Sequence, residues 1–114
     1  MFELKIERYS TITLVHLLGE MLLDDAVDLR AQLEQIIKTT NAKDIALDLC
    51  SVQRVNNSGL GALVGAGATA RTKDKRLMLY RPSGAVLQCL EQADILGFFP
   101  LLEDEEDLLA RLSR

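Results

Sequence analysis

Cysteine occurs only twice and histidine once in this chain of 114 residues. Cys50 and Cys89 lie far apart and outside any CxxC spacing, so no disulfide scaffold rests on them; they read as small buried apolar residues of a protein in a reducing compartment. With a single histidine and no carboxylates paired at ligand spacing, no closed metal site can be assembled. A basic block is missing too. Thirteen Lys and Arg against seventeen Asp and Glu give a formal charge of -4, and nothing along the chain could track a phosphate backbone, which sets nucleic acid aside as a partner. No apolar run approaches the ~18 residues of a membrane span, and the segment from Met1 to Arg8 alternates charge with hydrophobe where a signal peptide would be apolar. These absences point to a cytoplasmic protein without membrane insertion. Repeats, linkers and low-complexity segments are also lacking. Residues 1–114 are therefore expected to form a single domain, and a hydrophobic content of 48% suffices for a core without staples.

What is present follows the two periods of regular structure. Phe2, Leu4 and Ile6 alternate with Glu3, Lys5 and Glu7, the pattern of an edge strand with one face in water. Ile12 to Leu18 is apolar on both faces, which predicts a strand paired with the first as an antiparallel hairpin and ended by Gly19. From Asp25 to Lys38 the apolar positions Ala26, Leu29, Leu33, Ile36 and Ile37 share one helical face, with Asp24 or Asp25 as the cap. Ile45 to Leu49 predicts a short buried strand, Ser51 to Asn57 a loop, Gly59 to Thr72 a second helix, and Arg76 to Tyr80 a strand parallel to the one before it. Pro82 and Ser83 open a third helix carrying Val86, Leu87, Leu90 and Ala93, and Ile95 to Pro100 turns back to the core. Glu103 to Arg114 reads as a last helix, its acids first and its arginines last as the helix dipole favours. The expected fold is α/β: a mixed β-sheet with an N-terminal antiparallel hairpin and about four helices packed on its core face.

Four of the seven glycines fall between Gly59 and Gly67, a composition poor for an isolated helix. Close packing accounts for Gly65 and Gly67. Gly59 and Gly61 instead lie in the first turn, where unpaired backbone N–H groups can meet an anion or a partner. No nucleotide motif is completed there: Val64 stands where GxGxxG needs its third glycine, and no GK[ST] follows. Asn56 stands where a GxSxG elbow around Ser58 needs glycine, and His16 lies within an apolar strand, as a packed sheet residue does. The acids from Glu103 to Asp107 suit a helix start rather than a cation site. The sequence thus predicts no enzyme and no cofactor.

Several separated blocks resemble the STAS domain family, the anti-sigma-factor antagonists and their relatives. They are Gly19-Glu20 with Ala26 and Leu29-Arg30, the strand Ile45 to Leu49, the segment Ser58-Gly59-Leu60-Gly61-Ala62-Leu63, and the stretch from Leu90-Glu91 to Phe99-Pro100. The block at Ser58 is the most specific, since it is similar to the family's Asp-Ser-Ser-Gly-Leu-Gly element. In that element the serine before the first glycine is phosphorylated by an anti-sigma kinase and dephosphorylated by a phosphatase. The resemblance implies a STAS-like fold, Ser58 as phosphoacceptor, and a partner-binding surface of Asp24, Asn56, Asn57, Ser58, Gly59, Leu60 and Gly61. It implies as partner an anti-sigma factor or histidine-kinase-like ATPase regulator, with a phosphatase as a further one, and leaves a homodimer open. Two positions depart from the family: Asn56 stands where aspartate is usual, and Leu22 stands at the acid of Gly-x-Leu-Asp, with Asp24 two residues on. These departures keep a second expectation alongside the switch, a STAS subunit that never cycles through phosphate and serves a larger assembly such as a lipid-transport ATPase complex or a stress-sensing particle.

Overall fold

Strand β1 (Phe2–Arg8) and strand β2 (Ile12–Met21) form the expected antiparallel hairpin, with Phe2 opposite Gly19 and Arg8 opposite Thr13. The computed structural model describes residues 1–112. After the hairpin come helix α1 (Leu23–Thr39), strand β3 (Asp44–Val55), helix α2 (Asn57–Thr72), strand β4 (Arg76–Tyr80) and helix α3 (Gly84–Gln92), then a 3-10 turn at Leu96–Phe98, strand β5 (Leu101–Leu102) and helix α4 (Glu105–Leu112). The sheet runs β1-β2-β3-β4-β5, and each pairing after the hairpin is parallel. Strand β5 has no counterpart in the expected elements, because two residues leave no period to read. The last helix begins two residues later than expected, and the expectation for Ser113 and Arg114 lies outside the described residues.

Two expected boundaries move, for one reason. Gly19 does not end β2: it takes φ 108°, a Cβ there would stand 2.6 Å from the Met1 carbonyl oxygen, and the strand continues to Met21 through a register shift against β3. Its partner extends with it. Ser51, Val52, Arg54 and Val55 pair with Leu18, Gly19, Glu20 and Met21, so the expected loop from Ser51 to Asn57 is mostly strand, and Asn56 alone separates β3 from α2. The polar side chains read as loop are exposed at Ser51, Gln53 and Arg54, while Val52 between them is buried.

The main core lies where α1, α2 and α3 cover one face of the sheet, with Leu29, Leu33, Leu60, Leu63 and Leu90 packed over Val15, Leu17, Leu47 and Leu49. Each such fully buried side chain contributes roughly 1.5–3 kcal/mol over its exposed state. Helix α4 lies on the other face, where Leu108 covers Ile12, Leu14, Ala46, Met78 and Tyr80. The helices therefore do not share a single face, a correction to the expectation. The cysteines differ too. Cys50 is exposed and Cys89 half-buried, both as free thiols, because Cys50 sits on β3 facing away from the main core, beyond the cover of α4.

That uncovered part of the second face carries a chain of charges. His16 on β2 places Nδ1 2.7 Å from Asp48 Oδ2 on β3 and Nε2 2.7 Å from Glu7 Oε2 on β1. Asp48, buried, also accepts from the Arg81 guanidinium at 2.9 Å and from the Cys50 N–H at 3.1 Å. Burial of its carboxyl works against ionisation, yet the bonds from Arg81, Cys50 and His16 outweigh it and hold Asp48 below the ordinary carboxylate range. For His16 burial likewise opposes the charge, and the carboxylates of Glu7 and Asp48 prevail and raise it above an ordinary histidine.

Candidate functional site

Asn56 turns the chain from strand to helix. Its backbone is extended, its side-chain oxygen accepts the Gly59 N–H at 3.1 Å, and its own N–H donates to the Met21 carbonyl at 3.2 Å. It is the N-cap of α2, and Asn57 and Ser58 are the first two helical residues. Ser58, half-buried, therefore does not spend its hydroxyl on the cap. The helix starts two residues before the expected Gly59 because Asn56 supplies the acceptor that a helix N-terminus needs.

Gly59 and Leu60 belong to the packing beneath the site. A Cβ on Gly59 would stand 2.1 Å from the Met21 carbonyl oxygen, so the first turn of α2 is pressed against the end of β2 and only glycine fits. The first-turn reading of Gly59 is thereby replaced: it is a close-approach residue, and its N–H is already bonded to Asn56. Leu60 is 2% exposed within the main core. Gly61, in contrast, is exposed, with nothing within 4 Å of a Cβ built on it. Asn57 is exposed and its Oδ1 lies 3.9 Å from the Cys89 sulfur on α3. Asp24 is exposed in the first turn of α1. Of the seven residues expected to meet a partner, Asp24, Asn56, Asn57, Ser58 and Gly61 thus reach the surface or its margin, and Gly59 and Leu60 hold them up from below.

The acids of this end of the sheet are committed elsewhere. Neither Asp24 nor Asp25 is the N-cap of α1, which is Leu22; Asp25, at the third helical position, accepts the Leu22 N–H at 3.0 Å and pairs with the N-terminal ammonium at 2.7 Å. Glu20 holds Arg54 at 2.9 Å. Leu22 lines a cleft of about 490 Å³ together with Arg54, Val55, Asn56, Gln88 and Cys89, between the end of β3, the cap of α2 and α3.

Sequence reasoning missed the apolar part of this surface. Leu23 is 68% and Val27 85% exposed, one helical turn apart on α1. Val27 joins Ala26, Arg30, Gly61 and Ala62 in a shallow cleft where α1 meets α2, and Gly61 lies one turn after Ser58 on α2. Two large hydrophobes off the core face of an amphipathic helix were the available signal, since a helix that buries only one stripe has no use for them inside.

The comparisons with known proteins agree with this architecture. The family model described as "Mlab, STAS domain" matches residues 7–103. An anti-sigma F factor antagonist of Paenibacillus polymyxa is 22% identical over 110 residues, covering 96% of this chain and 94% of that protein. Among solved structures, an anti-sigma factor antagonist from Mycobacterium paratuberculosis superposes with a TM-score of 0.81 at 18% identity, over 100% of this chain and 96% of the other. The unphosphorylated form of the anti-sigma factor antagonist SpoIIAA gives 0.70 at 20% identity, over 99% of this chain and 98% of that one. With a hairpin-led mixed sheet, a capped helix start bearing Ser58 and a family match over most of its length, this chain belongs to the STAS domain family.

Proposed function

We propose that this domain is an anti-sigma-factor antagonist that binds an anti-sigma kinase or related regulator through the start of α2 and the adjoining face of α1, and that phosphate on Ser58 releases the partner. The observation that carries the reading is the free position of Ser58. It is the second residue of a helix whose cap is Asn56, one turn before Gly61, which shares a shallow cleft with the exposed Val27 of α1. The apolar side chains supply contact area, and the serine supplies the control. Phosphorylation adds about -1.5 to -2 charges at a helix N-terminus, where the dipole accepts them within the domain. A partner covering Ser58 would have to desolvate that charge, which costs several kcal/mol when unpaired, and every 1.4 kcal/mol weakens affinity about tenfold. SpoIIAA has been solved in its phosphorylated as well as its unphosphorylated form, which supports such a cycle for that fold.

A second reading rests on Asn56. As a cap it takes the place of aspartate, but it brings no carboxylate toward Ser58, and Leu22 brings none either. On this reading the domain is a subunit of a larger assembly, such as a lipid-transport ATPase complex or a stress-sensing particle, bound through the same surface without a phosphate cycle. Calorimetric titration of the co-purifying regulator and radiolabelled ATP separate the two. The switch predicts that Ser58→Asp abolishes binding and that phosphate enters Ser58, faster once Asn56→Asp restores the acid. Tight binding with no phosphate incorporated in either the wild type or Asn56→Asp overturns the switch and leaves the assembly subunit. Undiminished binding by Ser58→Asp places the interface elsewhere.

A further inference from the structure

We infer that the outer edge of β1 is a self-association surface, and that its occupant is a second copy of this chain laid antiparallel about Leu4. The proposal stands independently of what binds at α2. Strand β1 closes one end of the sheet, with β2 as its neighbour. Its pairing is unbroken from Phe2 to Arg8, so seven residues present a regular outer edge with neither bulge nor proline to spoil it. The phase of that edge follows from two bonds that continue the hairpin register, Glu20 N–H to the Met1 carbonyl and Tyr9 N–H to the Ile12 carbonyl, each 2.9 Å. Odd-numbered residues therefore bond inward to β2. The N–H and C=O groups of Phe2, Leu4, Ile6 and Arg8 point outward, where a further strand would bond them.

Charge selects the partner strand and its register. A two-fold axis pairs the strand with itself in antiparallel fashion, so one sequence must complement its own reverse. With Leu4 opposite Leu4, Phe2 meets Ile6 on the apolar side, and Glu3 meets Lys5 on both sides of the axis. Ile6, 41% exposed in the single chain, is then covered. Moving the axis to Lys5 sets Lys5 against Lys5 and Glu3 against Glu7, which repel. Moving it to Ile6 sets Arg8 against Leu4 on the apolar side and draws Lys5 to a Glu7 that His16 already holds. Only the axis at Leu4 satisfies both faces. Strand-edge pairing makes a small interface, in the weak class below about 1,200 Å².

Sedimentation velocity across a concentration series tests this directly. The wild type should pass from monomer to dimer as concentration rises, while Glu3→Lys and Lys5→Glu, each creating two like-charge pairs about the axis, should weaken association about tenfold or more. An equimolar mixture of the two variants should associate again, because the two lysines of the Glu3→Lys strand then face the two glutamates of the Lys5→Glu strand. Amide exchange gives a second readout that needs no variant: protection at Leu4 and Ile6 should rise with concentration while the β2 amides stay constant. A wild type that remains monomeric to about 1 mM overturns the proposal. So does association in which Glu3→Lys and Lys5→Glu behave as the wild type, or a mixture of the two that stays apart.

Discussion

Raising the pH from 5.5 to 8.5 should weaken the hold of β2 on β1 within the hairpin, and His16→Gln should abolish most of that dependence. Both imidazole nitrogens lie 2.7 Å from carboxylate oxygens. An ionised carboxylate only accepts a hydrogen bond, so the protonated ring, which donates from both nitrogens, is the form that these two contacts favour. The ordinary histidine titrates near 6.5, and the fold raises that value: burial opposes the charge, but Glu7 and Asp48 more than compensate. A raised folded value means the stabilisation is complete below the unfolded value and is lost as pH climbs through the folded one. Deprotonation removes one donor, and the proton kept at Nδ1 serves the buried Asp48, so the bond to the half-exposed Glu7 is the one lost. A bond to a charged group is worth about 1.5–3 kcal/mol when sheltered, and an exposed ion pair about 0.2–1 kcal/mol. With the ring part-buried between the two, His16→Gln should cost about 1–2 kcal/mol at pH 5.5, or about 4 °C per kcal/mol in a domain of this length. The assay is urea unfolding of the wild type and His16→Gln at pH 5.5, 7 and 8.5. The gap between them should narrow with rising pH, and a gap that stays constant refutes the imidazolium bridge. Lys5, opposite His16 in the ladder, and Arg81, on Asp48, are common to both proteins and cancel in the difference.

Four further outcomes follow from the site. Asn56→Ala should cost about 1 kcal/mol in urea unfolding as a lost cap, Asn56→Asp almost nothing, and Ser58→Ala far less than Asn56→Ala. Gly59→Ala should destabilise by more than about 1–3 kcal/mol, since the Met21 carbonyl is backbone and cannot yield. Gly61→Ala should leave thermal stability unchanged or raise it by about 0.5–1 kcal/mol, its site being open in a helix. Leu23→Asp and Val27→Asp should shift unfolding by no more than about 0.5 kcal/mol and yet abolish regulator binding in calorimetry; retained binding removes α1 from the interface.

Periodic segments were the legible part of the fold. Strand β4 falls where Arg76 to Tyr80 predicts it, and α1 carries its buried Leu29, Leu33, Ile36 and Ile37 on the expected face. Misreadings came where tertiary pairing overrode local signals. Gly19 is punctuation in most strands but here a bend within one, because Glu20 and Met21 still find partners on β3. Ser51, Gln53 and Arg54 look like loop because polarity along a strand with exposed positions is indistinguishable from polarity along a turn. At the site, Ser58 and its helix start were legible from a single motif. The role of Gly59 was not, since the Met21 carbonyl it faces lies far away in sequence and is brought there only by the sheet. Leu23 and Val27 stand off the buried stripe of α1, and a stripe alone does not say what covers the residues beside it.

The Met21 carbonyl is met twice, by the Asn56 N–H and by the Cα side of Gly59. Three elements are therefore riveted at one backbone oxygen: the end of β2, the end of β3 and the first turn of α2. A frame joined in this way ties the start of α2 to two strands at once. On the proposed switch, charge at Ser58 therefore acts at the surface and is read by contact, and the motion that follows belongs to the partner.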